Sequence, residues 1–186
     1  MASNAGKLKT SDLAYIAMLT AVMAVCAWIS IPAAVPFTLQ TFGVFLAVGV
    51  LGGKRGTIAV AVYLLLGLVG APVFSGFTGG PGRLLGTTGG YLVGFLFSAL
   101  TMWILEGLLG RGRWALAFSM ALGLLVCYTF GTIWFMAVYA RTTGPIGLWT
   151  ALSWCVIPYV IPDGAKIALA LMLTKRLEKA RGAVYS

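Results

Sequence analysis

The chain contains no histidine among its 186 residues. That absence removes the side chain most often used as a general base near neutral pH and the commonest metal ligand, and it excludes enzymes that need an imidazole. Charge is almost as scarce. Only 9% of residues are Asp, Glu, Lys or Arg, and 4 of these are acidic, whereas a soluble domain carries about 25% charged residues. Cysteine occurs 3 times, as Cys26, Cys127 and Cys155. There is no Cys-x-x-Cys pair and no histidine to complete a zinc site, so each thiol reads as a small hydrophobe in apolar sequence. A phosphate-binding Gly-x-x-x-x-Gly-Lys-[Ser/Thr] loop is also missing. Its nearest approach, Gly53-Lys54-Arg55, has Val48 at the first glycine position and Arg55 where a magnesium-binding hydroxyl belongs.

What is present is apolar. Hydrophobic residues make up 60% of the chain and the mean hydropathy is +0.99. The net charge of +9 does not suggest nucleic acid, because the basic residues are scattered singly between apolar runs and do not gather on one polar face. The pattern is that of an all-α, polytopic integral membrane protein. Helices are expected at about 12–31, 38–52, 57–70, 86–110, 114–139 and 163–181, giving one six-helix membrane domain over residues 1–186. The first run follows Lys7 and Lys9 but exceeds a signal-peptide core of roughly 7–15 residues. Val25 stands where a lipoprotein cleavage before Cys26 needs a small residue, so the run is read as a retained helix. The second and third segments are short for a lipid-facing span and can sit inside the bundle. Between residues 146 and 161 a further apolar stretch is interrupted by Pro158 and Pro162, which predicts a short helix and a turn before the last span.

Six spans put both termini on one side, and the basic residues identify it. Lys7, Lys9, Lys54, Arg55, Arg111, Arg113, Lys175, Arg176, Lys179 and Arg181 fall on that side, and Arg83 and Arg141 on the other. Positive charge marks the cytoplasmic side, so both termini are expected inside. Trp103, Trp114, Trp134 and Trp149 fall near predicted helix ends, where an interfacial aromatic belt belongs.

Three outer connections are unusual. They are Val35-Pro36-Phe37-Thr38-Leu39-Gln40-Thr41, the glycine-rich 71–90, and Pro158 to Lys166. Together they suggest Gly/Pro-rich loops closing over a ligand pocket. The glycine-rich stretch lacks the strand and Gly-x-Gly-x-x-Gly spacing of a phosphate cradle, and Arg83 alone within it is a weak signal. The strongest signal is Asp163 with Lys166. Ionisable groups within a membrane span are costly and mark functional sites, and a spacing of three places both on one helix face. Pro162 is expected at the first helical turn, with Asp163 where the helix dipole favours an anion. Asp12, Glu106 and Glu178 lie near cytoplasmic ends beside basic residues and are explained by charge matching. In the first helix Ala14, Ala17, Ala21 and Ala24 lie on or near one flank. The Ala17-x-x-x-Ala21 spacing permits close approach of another helix, whether from within the bundle or from a partner subunit.

Taken together, these blocks resemble the BioY family, the biotin-specific substrate-binding subunits (S components) of energy-coupling factor (ECF) transporters. The matching residues are Val35 to Thr41, Leu66-Gly67-Leu68 with Ala71-Pro72-Val73-Phe74-Ser75-Gly76, Thr88-Gly89-Gly90-Tyr91-Leu92-Val93-Gly94-Phe95, and Pro158-Tyr159 with Asp163-x-x-Lys166. The resemblance covers roughly residues 12–180. Departures are Thr87, where the family usually has proline, and Pro162-Asp163, where Pro-Gly-Asp is frequent. The resemblance implies a prokaryotic cytoplasmic-membrane protein that is not an enzyme and takes no cofactor of its own. It would capture biotin at the outer face, with a transmembrane coupling subunit and two ATP-binding ABC ATPases as partners. Asp163 would accept the ureido N–H groups. Lys166 would serve the ureido oxygen or the ligand carboxylate. Gln40, Thr38 and Tyr91 would be further polar residues of the pocket, and Phe74 and Tyr159 its apolar walls. Ala17 and Ala21 would form the docking face. An alternative is a self-sufficient, proton-coupled secondary transporter in which Asp163 relays protons, although a carboxylate paired with a nearby lysine makes a poor relay. An intramembrane enzyme lacks support, with no histidine, no paired intramembrane acids and no Ser–Lys dyad at a sensible depth.

Overall fold

The computed structural model describes residues 9–32 and 35–184, with side chains described as far as residue 178. Lys7, and the side chains of Lys179 and Arg181, lie outside the described residues. The elements run α1 (Thr10–Trp28), β1 (Ser30–Ile31), β2 (Phe37–Thr38), α2 (Gln40–Leu51), α3 (Gly53–Leu68), α4 (Pro81–Leu85), α5 (Gly89–Leu109), α6 (Arg113–Thr142), α7 (Leu148–Cys155) and α8 (Ile157–Val184). Among the described residues there are eight helices: the six expected helices, the short helix expected between residues 146 and 161, which is α7, and the unanticipated α4. Four helical segments are long and apolar enough to cross a membrane: Thr10–Trp28, Gly89–Leu109, Arg113–Thr142 and Leu148–Glu178.

The core draws on α1, α2, α3, α5, α6, α7 and α8 together, from Ile16 and Met23 through Phe45, Tyr63, Phe95 and Met120 to Cys155 and Ala170. At its centre lies α2, in which every residue except Val50 is buried. A helix of 12 residues rises only about 18 Å, too little for a lipid-facing span. It is instead enclosed by α1, α3, α5 and α8. Small residues make that enclosure possible. A Cβ on Gly43 would stand 3.1 Å from the Met23 Cα, and one on Gly56 would collide with the Val48 backbone.

Two boundaries differ from expectation. The sequence placed Lys54 and Arg55 in a loop before a helix at 57. In the structure Gly52, at φ 82°, reverses the chain in a single residue and α3 begins at Gly53. The left-handed conformation, open to glycine, makes so tight a turn possible. The second difference is larger. The last helix begins at Ile157 and runs through both prolines, with Pro162 in its interior. Pro158 takes the first-turn position at which a missing N–H costs nothing, while Pro162 forgoes its own bond to the Pro158 carbonyl without ending the helix. Asp163 consequently sits in the second turn of α8 rather than at its N-terminus. The dipole argument for its placement does not hold.

One end of the bundle carries most of the charge. Arg55 pairs with Asp12 at 2.9 Å. Arg111 reaches Glu106 at 3.7 Å and Glu178 at 3.2 Å and also donates to the Gly49 carbonyl at 2.6 Å. Glu106 Oε2 accepts the Gly53 N–H at 2.5 Å, which places a negative charge at the start of α3, where the helix dipole favours one. These contacts tie α1, α2, α3, α5 and α8 at one end, and they account for Asp12, Glu106 and Glu178 as the charge-matching argument expected. Of the tryptophans, Trp114 and Trp149 are exposed at helix starts. Trp134 lies well inside α6 and bonds to a loop, so it belongs to no belt at a helix end.

The close α3–α5 approach is testable. A Cβ on Gly53 would stand 2.5 Å from the Trp103 Cα, a backbone atom that no rotamer change can move. Gly53→Ala should lower the thermal unfolding temperature in detergent, at a cost of about 1–3 kcal/mol. An unchanged melting curve would show that α3 and α5 are not packed in this way.

Candidate functional site

At the end of the bundle opposite the charge cluster, the chain builds a cavity with about 650 Å³ of atom-free space, its open mouth included. Ligand pockets commonly span about 300–1,000 Å³. Its walls come from the connection between α1 and α2 with the start of α2, from the 69–88 connection, from α5, α6 and α8, and from the end of α7. The first connection folds into a small antiparallel pair in which Ser30 faces Thr38 and Ile31 faces Phe37. The second is pinned by side chains that donate to its carbonyls: Trp28 of α1 to Pro72 at 2.8 Å, Tyr63 of α3 to Val73 at 2.9 Å, and Trp134 of α6 to Gly86 at 3.0 Å. Between these anchors the chain doubles back, with Phe74 bridged to Thr78. Phe77 adopts φ 55°, a region rarely occupied by a residue other than glycine, and its ring stacks on Trp28 at 5.0 Å. The glycine-rich stretch is therefore a built wall.

The chemistry of the cavity centres on Asp163 and Lys166, which are 3% and 5% exposed. Lys166 Nζ donates to Asp163 Oδ1 at 2.5 Å and to the Thr38 carbonyl at 2.7 Å, and it lies 4.3 Å from the centre of the Phe37 ring. The other carboxylate oxygen, Asp163 Oδ2, accepts the Tyr128 hydroxyl at 2.5 Å. The pair thus balances its charges, and each partner makes a further hydrogen bond outside the pair, which offsets much of the cost of burying two charges. Around it, Gln40 donates through Nε2 to the Tyr63 hydroxyl at 2.6 Å, the Thr38 hydroxyl accepts the Gln40 backbone N–H at 3.2 Å, and the Tyr91 and Thr132 hydroxyls share a bond of 2.9 Å. Tyr159 donates its hydroxyl to the Val35 carbonyl and stacks on Phe37 at 6.0 Å. Phe74 is completely buried and meets Tyr63 edge-on at 5.5 Å. Among the described residues, no three His, Cys, Asp or Glu side chains are grouped as metal ligands would be. Such a site offers a few fixed donors and acceptors within an aromatic shell, suited to holding a compact polar head and an apolar body.

The family whose model matches residues 1–183 is the BioY family. This chain belongs to it. Among its relatives, BioY of Thermotoga maritima, a biotin transporter, is 43% identical over 161 residues, covering 86% of this chain and 91% of that one. A probable biotin transporter BioY of Pyrococcus horikoshii is 38% identical over 172 residues, covering 92% and 98% respectively. A solved structure of the S component for biotin from an ECF-type ABC transporter superposes with a TM-score of 0.80 at 30% identity, covering 96% of this chain and 95% of that one.

In this BioY chain the seven cavity residues expected from the sequence, Thr38, Gln40, Phe74, Tyr91, Tyr159, Asp163 and Lys166, all line the same cavity. Ala17 and Ala21 lie elsewhere, exposed on the outer side of α1 together with Ala14, whereas Ala24 is turned into the core. The sequence reasoning missed Tyr128, whose partner is 35 residues away and whose setting in α6 is an unbroken apolar helix with nothing to distinguish it. It also set aside Arg83, which reaches the cavity and donates to Ser75 Oγ at 3.0 Å. Cys127 and Cys155, read as inert apolar residues, line the cavity too, and the Cys127 thiol lies 3.7 Å from the Tyr91 carbonyl.

The buried pair predicts a non-additive mutant cycle. Lys166→Met leaves a buried carboxylate without its counter-charge and should cost about 3–5 kcal/mol, whereas the double change with Asp163→Asn should recover much of that loss. Thermal unfolding of the two variants in one detergent tests it. A double variant no more stable than the single one would mean that the two charges do not compensate each other.

Proposed function

We propose that this BioY chain is the biotin-binding S component of an ECF-type importer, capturing biotin at the outer membrane face. The observation that carries the reading is the neutral, hydrogen-bonded Asp163–Lys166–Tyr128 cluster at the wall of an aromatic cavity in a chain of this family. Biotin offers two ureido N–H donors and one C=O acceptor on a fused, otherwise apolar bicycle. A carboxylate only accepts and an ammonium only donates. Asp163 takes the ureido N–H groups through its remaining lone pairs, and the third proton of Lys166 serves the ureido oxygen. Gln40, Thr38 and Tyr91 complete the polar contacts, while Phe74 and Tyr159 enclose the ring system. Charge-assisted bonds of this kind contribute about 1.5–3 kcal/mol each.

The topology belongs to the same reading: six spans, both termini cytoplasmic, and the cavity opening outward in the cytoplasmic membrane of a prokaryote. Lys54, Arg55, Arg111, Arg113, Lys175 and Arg176 lie at the end opposite the cavity, which is what a cytoplasmic excess of positive charge requires. The chain carries no nucleotide-binding loop, so energy comes from partners, namely a transmembrane coupling subunit and two ABC ATPases. The exposed Ala17 and Ala21 on α1 offer the face on which a partner helix can approach closely.

Two measurements test this reading. Asp163→Asn should weaken biotin binding by at least about tenfold while leaving a folded, detergent-soluble protein, because two charge-assisted contacts are reduced to a neutral amide contact; unchanged affinity by calorimetry would sink the assignment. Proteoliposomes with the chain alone should accumulate no biotin, and uptake should require the coupling and ATPase subunits with ATP. Uptake by the chain alone that an uncoupler abolishes would establish the proton-coupled transporter instead.

A further inference from the structure

Among the described residues, three charged side chains line the cavity: Asp163, Lys166 and Arg83. The first two cancel each other, and two donors of Lys166 are committed to Asp163 Oδ1 and the Thr38 carbonyl. The charge left over is that of Arg83. Its described polar contact is a neutral one, from one terminal nitrogen to Ser75 Oγ at 3.0 Å, and among the described residues it has no carboxylate partner. A guanidinium has five N–H donors in a planar fork that matches a carboxylate bidentately, so most of this fork remains unspent beside the cavity.

Arg83 is also held in place. It occupies the last turn of the short α4, between Gly80, whose N–H bonds to the Gly67 carbonyl at 2.6 Å, and Gly86, fixed by Trp134. Its partner Ser75 is buried, and the Ser75 carbonyl accepts the Thr78 hydroxyl at 2.9 Å. The guanidinium is thus presented from a tethered wall, contributed by a different part of the chain from the Asp163–Lys166 pair. Such a site carries one net positive charge and calls for a ligand with one negative charge away from its polar head.

We propose that Arg83 is the anion-recognising residue of this cavity, taking the terminal carboxylate of the ligand while the ring system sits at Asp163, Lys166 and Tyr128. The inference rests on the proposed biotin-binding function and adds the orientation of the ligand and a rule of selectivity. The site prefers the free acid to neutral derivatives of the tail, such as amides and esters, and Lys166 does not serve the carboxylate.

The test compares biotin with biotinamide, which keeps the ring and loses the charge, by calorimetric titration of the purified chain in detergent. The unaltered chain should bind biotin at least about tenfold more tightly than biotinamide, as expected for the loss of a charge-assisted bidentate contact. Arg83→Met, with its fold checked by thermal unfolding in the same detergent, should bind biotin no more tightly than the amide. Arg83→Lys should restore part of the preference. Equal affinities of the unaltered chain for the two ligands, or an undiminished preference in Arg83→Met, would overturn this inference and leave the biotin-binding function standing. Binding of neither ligand by the unaltered chain would overturn both.

Discussion

Two opposite charges buried beside an apolar cavity impose the strictest condition in this fold. Removing a carboxylate and an ammonium from water costs several kcal/mol per ion even after relaxation, and the attraction between them offsets this only when the remaining donors and acceptors find partners. Asp163 and Lys166, both on α8, cannot complete that set alone. The second carboxylate oxygen takes its donor from Tyr128 on α6, and the ammonium takes a carbonyl from Thr38 and an aromatic face from Phe37, both on β2. The α1–α2 connection must therefore lie across α8, and α6 must run alongside it. A ligand that exchanged bonds with this cluster would alter the contacts that hold β2 in place, so binding and the conformation of the cavity wall are linked through the same few atoms.

The two ends of the bundle solve different problems. At one end Arg111 collects Glu106, Glu178 and the Gly49 carbonyl, and Arg55 holds Asp12. These are partly exposed pairs, individually weak in water, that together fasten five helices. At the other end, beside the cavity, the connection is fastened by donors aimed at backbone carbonyls. Trp28, Tyr63 and Trp134 hold the 69–88 connection from three different helices, satisfying polar backbone that a membrane environment would leave costly. The short, enclosed α2 lies between these regions. Because its surface is covered by neighbouring helices, its length is set by the bundle rather than by the bilayer.

The residues legible in the sequence were those whose cost is visible without neighbours. An aspartate and a lysine three apart in an apolar run demand a partner and a purpose, and glycine and proline concentrated in two connections demand an unusual backbone path. Those arguments led to Asp163 and Lys166 and to the unusual connections, while the family resemblance supplied Thr38, Gln40, Phe74, Tyr91 and Tyr159 as individual residues; all seven line the cavity. Residues whose cost appears only in three dimensions stayed hidden. A tyrosine within a membrane helix is ordinary until its hydroxyl meets a carboxylate 35 residues away, as Tyr128 does. A single arginine in a glycine loop is ordinary until the loop folds it onto a cavity. Local rules also erred where two readings competed. Pro162 was expected to open the last helix, but Pro158 occupies the first-turn position where the missing N–H is free, and the helix runs on through Pro162 and carries Asp163 into its second turn.

By itself, then, the sequence determined that the chain is helical and apolar enough to lie in a membrane, that it lacks imidazole chemistry and a nucleotide loop, and that Asp163 and Lys166 stand three apart in an apolar run. These follow from composition and from the price of placing charge in an apolar medium, both of which are properties of residues and short segments. Only the tertiary structure decided which hydroxyl completes the carboxylate, that the glycine-rich connection is a tethered wall, that α2 is buried rather than lipid-facing, and that Arg83 has no carboxylate partner among the described residues. Each of these depends on contacts between segments far apart in the chain, where the geometry of approach, and not the identity of any one residue, sets the energy.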